Sequence, residues 1–244
     1  DSALAISILA SNFYDNPSAK LKLVGVTGTN GKTTIVTLLY NLFTSLGYCC
    51  GLLSTVHNIV GEEVIPSTHT TPDPVSLNRL LAQMVDRGCE FCFMEVSSHS
   101  VVQKRISGLT FCGGIFTNIT HDHLDYHKTF VNYIAAKKAF FTMLPAGAFA
   151  VVNADDKNGL LMVENSKAKV YTYSIRGMAD FHAKLLEVKI DGTLARINNG
   201  EEFWMALPGV FNASNQLAVY AAASLLSVDK YELMVKLSVI KGAK

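Results

Sequence analysis

Apolar positions along this chain recur at two spacings, and the changes between them mark its elements. Leu21-Lys-Leu-Val-Gly-Val26 is a strand-length apolar run ending in Thr27-Gly-Thr-Asn-Gly-Lys-Thr-Thr34. Ile35, Leu38, Leu39, Leu42 and Leu46 then return at helical spacing until Gly47, which predicts strand, glycine loop and helix in that order. Residues 48–56 read as a second strand. Asp73 and Pro74 form a cap and a first-turn proline for a helix with Leu77, Leu80, Leu81, Met84 and Val85 on one face before Gly88. Buried strands are expected at 91–96 and 111–117, a helix at 129–144 and a strand at 149–153. This alternation, running to about residue 173, predicts an α/β fold with a doubly wound, mostly parallel sheet. The pattern then changes. Residues 181–190, 193–197 and 202–207 are β-like runs separated by Asp191-Gly192 and Asn199-Gly200, so a small antiparallel three-stranded meander is expected. Pro208-Gly209 leads into an Ala-rich helix at 212–226, and a further helical pattern runs toward Lys244.

Composition narrows the class. With 244 residues, 49% of them hydrophobic and 17% charged, the chain can bury a sizeable core. Lys and Arg number 21 against 20 Asp and Glu, and no run concentrates the basic residues, which argues against a nucleic-acid partner. The apolar runs are strand-sized and Asp1 does not open a basic-then-apolar segment. Neither a membrane span nor a signal peptide is expected, and the expected compartment is the cytoplasm. Cys49, Cys50, Cys89, Cys92 and Cys112 lie in or beside apolar runs, where free thiols pack as small hydrophobes, so no disulfide framework is implied.

Four segments carry candidate chemistry. In Gly28-Thr-Asn-Gly31-Lys32-Thr33-Thr34, a P-loop between strand and helix, successive N–H groups can cradle phosphate oxygens. Lys32 would reach the β- and γ-phosphates and Thr33 would ligate Mg²⁺. Val26 stands where the usual motif has its first glycine, and an ordinary glycine-rich turn with a solvated lysine is the alternative. Phe91-Cys-Phe-Met-Glu95 puts an acid at the end of a buried strand, either as a second Mg²⁺ anchor or as a strand-end glutamate facing water. Cys89 and Cys92 form a C-x-x-C without a second pair at zinc-finger spacing. His121, Asp122, His123, Asp125 and His127 crowd into one stretch, readable as a zinc cluster, a Mg²⁺-linked histidine or a solvated loop. Finally, Phe130, Tyr133, Ile134, Phe141 and Leu144 define an apolar helix face with Lys137 near its middle and Lys138 on its flank. An inward lysine must snorkel, pair with an anion or lose its charge.

Taken together, Gly28-Thr-Asn-Gly-Lys-Thr-Thr34, His69-Thr-Thr-Pro72, Glu95-Val-Ser-Ser-His99 with Gln103 and Arg105, Thr117-Asn-Ile-Thr-His-Asp-His-Leu-Asp-Tyr-His127, Ala135-Ala-Lys137, Val152-Asn-Ala-Asp-Asp156 and Leu207-Pro-Gly-Val-Phe-Asn212-Ala-Ser-Asn215 resemble the Mur ligases of peptidoglycan synthesis. The Thr-Thr-Pro and Glu-Val-Ser-Ser-His segments look like the branch that adds a diamino acid. Folylpolyglutamate synthetases share the glycine loop and the histidine region. The resemblance implies a ligase in which ATP phosphorylates the D-glutamyl carboxylate of UDP-MurNAc-L-Ala-D-Glu and the amine of meso-diaminopimelate or L-lysine attacks the acyl phosphate. By carry-over, Gly28, Thr29, Asn30, Gly31, Lys32, Thr33 and Thr34 hold the nucleotide, with Asn212 and Asn215 at its base. Thr33, Glu95, His123 and a carbamylated Lys137 hold Mg²⁺, with Lys32, His123 and Lys137 as the catalytic set. Thr70, Thr71, Ser97, Gln103 and Arg105 contact the UDP-sugar substrate. The resemblance further implies that 21–228 is an ATP-binding central domain with the meander at about 180–207. Residues 1–20 would lead in from an N-terminal domain and 229–244 lead out to another, so the chain alone would not complete ligation. Two other classes stand beside this reading: a nucleotide-binding module without turnover, and a P-loop phosphotransferase or GTPase, for which no guanine-reading Asn-Lys-x-Asp is present.

Overall fold

The computed structural model describes residues 1–120 and 124–240. Helix α1 (Ser2–Phe13) and a 3-10 turn (Pro17–Lys20) precede β1 (Lys22–Thr27), α2 (Lys32–Ser45), β2 (Cys50–Leu53), β3 (His57–Val60), β4 (Glu63–Pro66), α3 (Pro74–Asp86) and β5 (Phe91–Glu95). There follow α4 (Ser98–Val102), β6 (Gly113–Phe116), α5 (Leu124–His127), α6 (Phe130–Met143), β7 (Phe149–Asn153), α7 (Gly159–Val163) and β8 (Lys169–Ser174). The last elements are β9 (Phe181–Lys189), β10 (Gly192–Ile197), β11 (Glu202–Met205), α8 (Val210–Leu225) and α9 (Lys230–Leu237).

The strands form one sheet in the order β11-β10-β9-β8-β7-β6-β1-β5-β2-β3-β4. From β9 across to β2 every neighbouring pair is parallel, which is the α/β architecture expected from the alternation of elements. The meander β9-β10-β11 is antiparallel and joins the sheet through the β8–β9 pair. The opposite edge departs from expectation. Residues 48–56 do not make one strand: β2 stops at Leu53, and the chain returns as the antiparallel hairpin β3–β4. Ser54 makes this turn by donating its hydroxyl to the His57 carbonyl at 2.7 Å. Gly61, in the left-handed region at φ +63, then turns β3 into β4.

Side chains along the central strands alternate between the two faces. Val24, Val26, Phe91 and Phe93 pack with α2, α8 and α9 residues on one side, while Leu23, Cys92 and Met94 pack with α3, α6 and α7 residues on the other. Ala-rich α8 lies close on the sheet because Ala213, Ala218, Ala221, Ala222 and Ala223 are fully buried and small. Asp73 caps α3 by accepting from the Val75 and Ser76 amides, both at 3.0 Å. Helix α1 packs on α3 and is held by the Ser7 hydroxyl on the Lys104 carbonyl at 2.7 Å. Among the described residues no helix is long and apolar enough to cross a membrane.

The winding decides where ligands can gather. The chain moves from β1 to β2 on one side, fills the gap with β5, then crosses β1 to build β6, β7 and β8 on the other side. The loops after β1, β5 and β6 therefore meet beyond the carboxyl ends of the strands, at the point where the winding reverses.

Candidate active site at the sheet switch point

Thr27 ends β1, and the chain turns at Gly28 against the end of β6. A Cβ added at Gly28 would lie 1.8 Å from Thr117 Oγ1. Gly31, at φ +86, caps α2, and a Cβ there would lie 2.6 Å from Asn215 Oδ1. These two glycines hold the loop close to its neighbours. Val26, where a P-loop usually has its first glycine, is still a strand residue paired with Glu95 and Ile115, so close approach begins at Gly28 instead. The loop is strapped to the segment after β6: Thr29 N donates to the Asn118 carbonyl at 2.8 Å, Asn30 N to Asn118 Oδ1 at 3.0 Å, and Thr117 Oγ1 to the Asn30 carbonyl at 2.6 Å. Lys32 Nζ curls back over the loop, donating to the carbonyls of Gly28 at 3.0 Å and Thr29 at 2.9 Å. This is not a solvated lysine. Thr34 sits half-buried in the first turn of α2.

Glu95 does not face water; it is 1% exposed. Its Oε1 accepts from Thr33 Oγ1 and from Thr55 N, both at 2.8 Å, and its Oε2 from Thr55 Oγ1 at 3.1 Å. Thr55 was not among the expected site residues, and nothing in its local sequence distinguishes it. Beyond Glu95, Thr71 Oγ1 donates to the Glu95 carbonyl at 2.9 Å and accepts from Ser97 N at 3.2 Å. Arg105 Nη1 donates to the Thr71 carbonyl at 2.7 Å, and Gln103 Oε1 accepts from Arg105 Nε at 2.8 Å. A cavity of about 330 Å³ opens here, lined by Gly28, Lys32, Thr70, Thr71, Ser97, Arg105 and Lys137 among others. Its walls carry the basic side chains of Lys32, Arg105 and Lys137 and, among the described residues, no carboxylate, a lining suited to an anionic ligand. Gln103 does not line it; it is exposed and steadies Arg105.

Helix α6 forms the far wall. Lys137 is 1% exposed, so snorkelling is excluded, and its Nζ lies 4.6 Å from the Tyr133 ring centroid. The flanking Lys138 instead pairs with Glu164 at 2.5 Å. Tyr133 was not anticipated as a site residue. Its hydroxyl lies 3.1 Å from Thr29 Oγ1 and its ring 5.0 Å from that of His127, whose Nε2 is 2.9 Å from Ser98 Oγ. Core-like periodicity hid Tyr133, because an aromatic on an apolar face reads as packing. His121, Asp122 and His123 lie outside the described residues. Among the described residues, no three or more His, Cys, Asp or Glu side chains gather into a group that could hold a metal.

A second cavity of about 470 Å³ lies across the loop, lined by Asn30, Gly31, Asn118, Asn153, Arg176, Phe211, Ser214 and Asn215 among others. Asn212 is not among the lining residues; its amide donates to the Pro208 carbonyl at 2.8 Å, one turn from Asn215. Asp155 and Asp156 also border this cavity but are engaged in bracing it. Asp155 accepts from Ser174 Oγ at 2.6 Å and Ile175 N at 2.8 Å, and Asp156 from Ile119 N at 2.7 Å and Asn158 N at 2.8 Å. Arg176 and Phe211, the latter 72% exposed, remain at the rim as a cation and an aromatic face. Neither was expected as a site residue: Arg176 follows the end of β8, and Phe211 sits in the first turn of α8.

The UDP-N-acetylmuramoyl-L-alanyl-D-glutamate--2,6-diaminopimelate ligase of Cytophaga hutchinsonii is 60% identical over 243 residues, covering 100% of this chain and 50% of that relative. The ligase of the same name from Phocaeicola vulgatus is 59% identical over 241 residues, 99% of this chain and 50% of the relative. A solved structure of a UDP-N-acetylmuramoyl-L-alanyl-D-glutamate--2,6-diaminopimelate ligase superposes with a TM-score of 0.89 at 28% identity, over 99% of this chain and 52% of that one. The chain thus spans about half the length of the curated relatives it matches. A family model described as the Mur ligase middle domain matches residues 26–223, and the chain belongs to that family.

Proposed function

We propose that this chain is the ATP-binding core of an amide ligase that extends UDP-MurNAc-L-Ala-D-Glu with 2,6-diaminopimelate. The observation that carries this reading is the glycine loop standing as a common wall between two cavities, one lined by cations and the other by amides and an aromatic. A nucleotide laid across the loop would put its base and ribose in the second cavity, near Asn215, and its terminal phosphate at the first. There the acid substrate, held by Thr70, Thr71, Ser97 and Arg105 with Gln103 behind them, would present its carboxylate. The relatives' greater length supports assigning 21–228 as a central unit, with 1–20 and 229–244 as its connections to further domains in a cytoplasmic enzyme.

The residues fit both ATP and Mg²⁺. Gly28 and Gly31 let the loop lie against Thr117 and Asn215 in a backbone conformation that side chains rarely adopt, and the Thr33 hydroxyl and Glu95 carboxylate are hard oxygen donors already in contact at 2.8 Å. Bound between them, Mg²⁺ would offset negative charge on the phosphoryl group in flight. Lys32 would leave the loop carbonyls and neutralise the β- and γ-phosphates. The loop amides would orient the chain of phosphates, and Arg105 would hold the incoming carboxylate in line with the γ-phosphorus. Transfer then leaves an acyl phosphate and ADP, and attack by the amine yields the amide and phosphate. The burial of Lys137 on the cavity wall supports its carbamylation: its amine nitrogen would bond to the carbon of CO₂, a proton would leave, and the new carboxylate would serve as a further oxygen donor. His123 completes this set by resemblance to the family.

Two measurements test the reading. Lys32→Ala should abolish the thermal stabilisation by Mg-ATP while leaving the fold intact; for scale, a ligand at 100 times its Kd stabilises by about 2.7 kcal/mol. An unchanged shift in the variant removes Lys32 from the site. In the full-length protein, ATP, Mg²⁺, UDP-MurNAc-L-Ala-D-Glu and hydroxylamine should yield a hydroxamate of the D-glutamyl carboxylate. ATP hydrolysis without hydroxamate, and without dependence on the dipeptide, would point to a phosphohydrolase.

A further inference from the structure

At the opposite end of the sheet from the glycine loop, two thiols distant in sequence come together. Cys49 precedes β2 and Cys89 precedes β5, separated by 40 residues, and their Sγ atoms lie 3.2 Å apart. The sheet itself creates this meeting. Strands β2 and β5 run parallel with Cys50 opposite Phe91, Glu90 N donates to the Cys49 carbonyl at 3.0 Å, and Cys89 N to the Met84 carbonyl at 2.9 Å. Both backbones are therefore pinned, and the side chains close the gap between them.

The remaining cysteines are placed otherwise. Cys50 packs in the core on the other face of the sheet, as a neighbour in a strand must. Cys92, the other member of the C-x-x-C, is fully buried within β5. The partner of Cys89 is thus Cys49, a pairing that the spacing of the motif conceals. Cys49 is half-buried and borders a solvent-facing cavity of about 580 Å³ with Gly61, Glu62, Glu63 and Arg87, so a small reagent can reach it. Cys89, 5% exposed, lies behind it. Burial, together with the hydrogen bond to Cys49, pushes the Cys89 thiol up to about 12, so the more accessible Cys49 is the thiol that meets an oxidant first.

We propose that Cys49 and Cys89 form an oxidisable pair that closes into a disulfide on exposure to a hydroperoxide, tying the α2–β2 turn to the α3–β5 turn. Cys49, as thiolate, attacks the terminal peroxide oxygen; the O–O bond breaks, leaving Cys49 as a sulfenic acid and releasing the other oxygen, once protonated, as water from hydrogen peroxide or as an alcohol from an organic hydroperoxide. Cys89 Sγ then attacks Cys49 Sγ, the S–O bond breaks, and the hydroxyl departs with the Cys89 proton as a second water. The two thiols lose two electrons and the peroxide gains them. Starting from a 3.2 Å separation, the sulfurs need approach by only about 1 Å to reach bonding distance. The loop closed in this way contains Thr55, Thr70 and Thr71, the residues that surround Glu95. The bond would therefore restrain the threonine wall of the candidate site from behind.

The reduced chain, treated with hydrogen peroxide and then alkylated, should lose two hydrogens in mass and yield a Cys49–Cys89 cross-linked peptide. Its melting midpoint should rise by several degrees, and dithiothreitol should reverse both changes. Cys49→Ser, at a half-buried position, should fold normally and show neither change; Cys89→Ala should accumulate oxidised Cys49 without a cross-link. Overoxidation of Cys49 in the wild-type chain with Cys89 still alkylatable would overturn the proposal, as would a cross-link between any other pair.

Discussion

Position 28 admits no side chain, because Thr117 already occupies the space where one would go. Gly28→Ala should therefore destabilise the chain by about 1–3 kcal/mol, the usual cost of overpacking. If the Thr117 hydroxyl is the obstacle, Gly28→Ala combined with Thr117→Ala should cost less than the sum of the two single changes. Urea unfolding of the four chains measures this, and strict additivity would show that the strain lies elsewhere. Lys137 and Lys138 make a second contrast at this scale, since one is buried beside Tyr133 and the other is paired with Glu164 at the surface. With ¹³C-bicarbonate, Mg²⁺ and nucleotide at neutral pH, a carbamate carbon signal should appear that Lys137→Ala removes and Lys138→Ala keeps. A signal lost with Lys138 instead would reverse the assignment. The inward position of Lys137 was readable because helical periodicity is a property of neighbouring residues. The places of Thr55 on Glu95 and of Arg176 at the second cavity were not, because the fold brings each to residues far along the chain.

Among the elements, those whose signal is local emerged from the sequence: the β1–loop–α2 unit, the capped α3, and the three strands of the meander with their turn pairs. The β3–β4 hairpin did not, since each of its strands is only 4 residues long, the turn into it rests on a serine hydroxyl and the turn within it on one glycine. The join between the parallel sheet and the meander has its own electrostatic latch. Asp180 accepts from Thr172 N at 2.7 Å and Thr172 Oγ1 at 2.8 Å, bridging β8 to the start of β9. The backbone bond from Thr172, then the hydroxyl bond, hold the Asp180 carboxyl below its ordinary value of 3.8. A depressed carboxyl stabilises the fold above that ordinary value and loses its contribution as pH falls through the folded one. Below about pH 4, then, the melting midpoint of the wild-type chain should fall more steeply than that of Asp180→Asn. The effect should be small because the group is near the surface; equal slopes would mean that the latch does not titrate with unfolding.

For the molecule as a whole, the decisive fact is that it matches about half the length of its relatives. Family membership was readable from seven ordered motifs because such motifs survive as residues, whereas the course of the second cavity had to wait for the fold. Ligation requires carboxylate, γ-phosphate and amine in near-attack geometry, an arrangement worth about 7–11 kcal/mol of the barrier. On the proposed function, the two cavities would supply places for the first two. Mixed with UDP-MurNAc-L-Ala-D-Glu, ATP, Mg²⁺ and diaminopimelate, the chain should form no tripeptide detectable by mass spectrometry. Product at the usual enzymatic rates of roughly 1–10³ per second would locate an amine pocket within it. The shared wall between the cavities carries one further consequence. Gly28 and Lys32 face one side of that wall while Asn30 and Gly31 face the other, so a ligand that fixed the loop from either side would alter the free energy of filling its neighbour. Thermodynamic linkage makes this exchange reciprocal. On the proposed function, whatever factor a nucleotide brought to the affinity for the acid, the acid would have to return to the nucleotide, and titrating them in either order would close the same cycle.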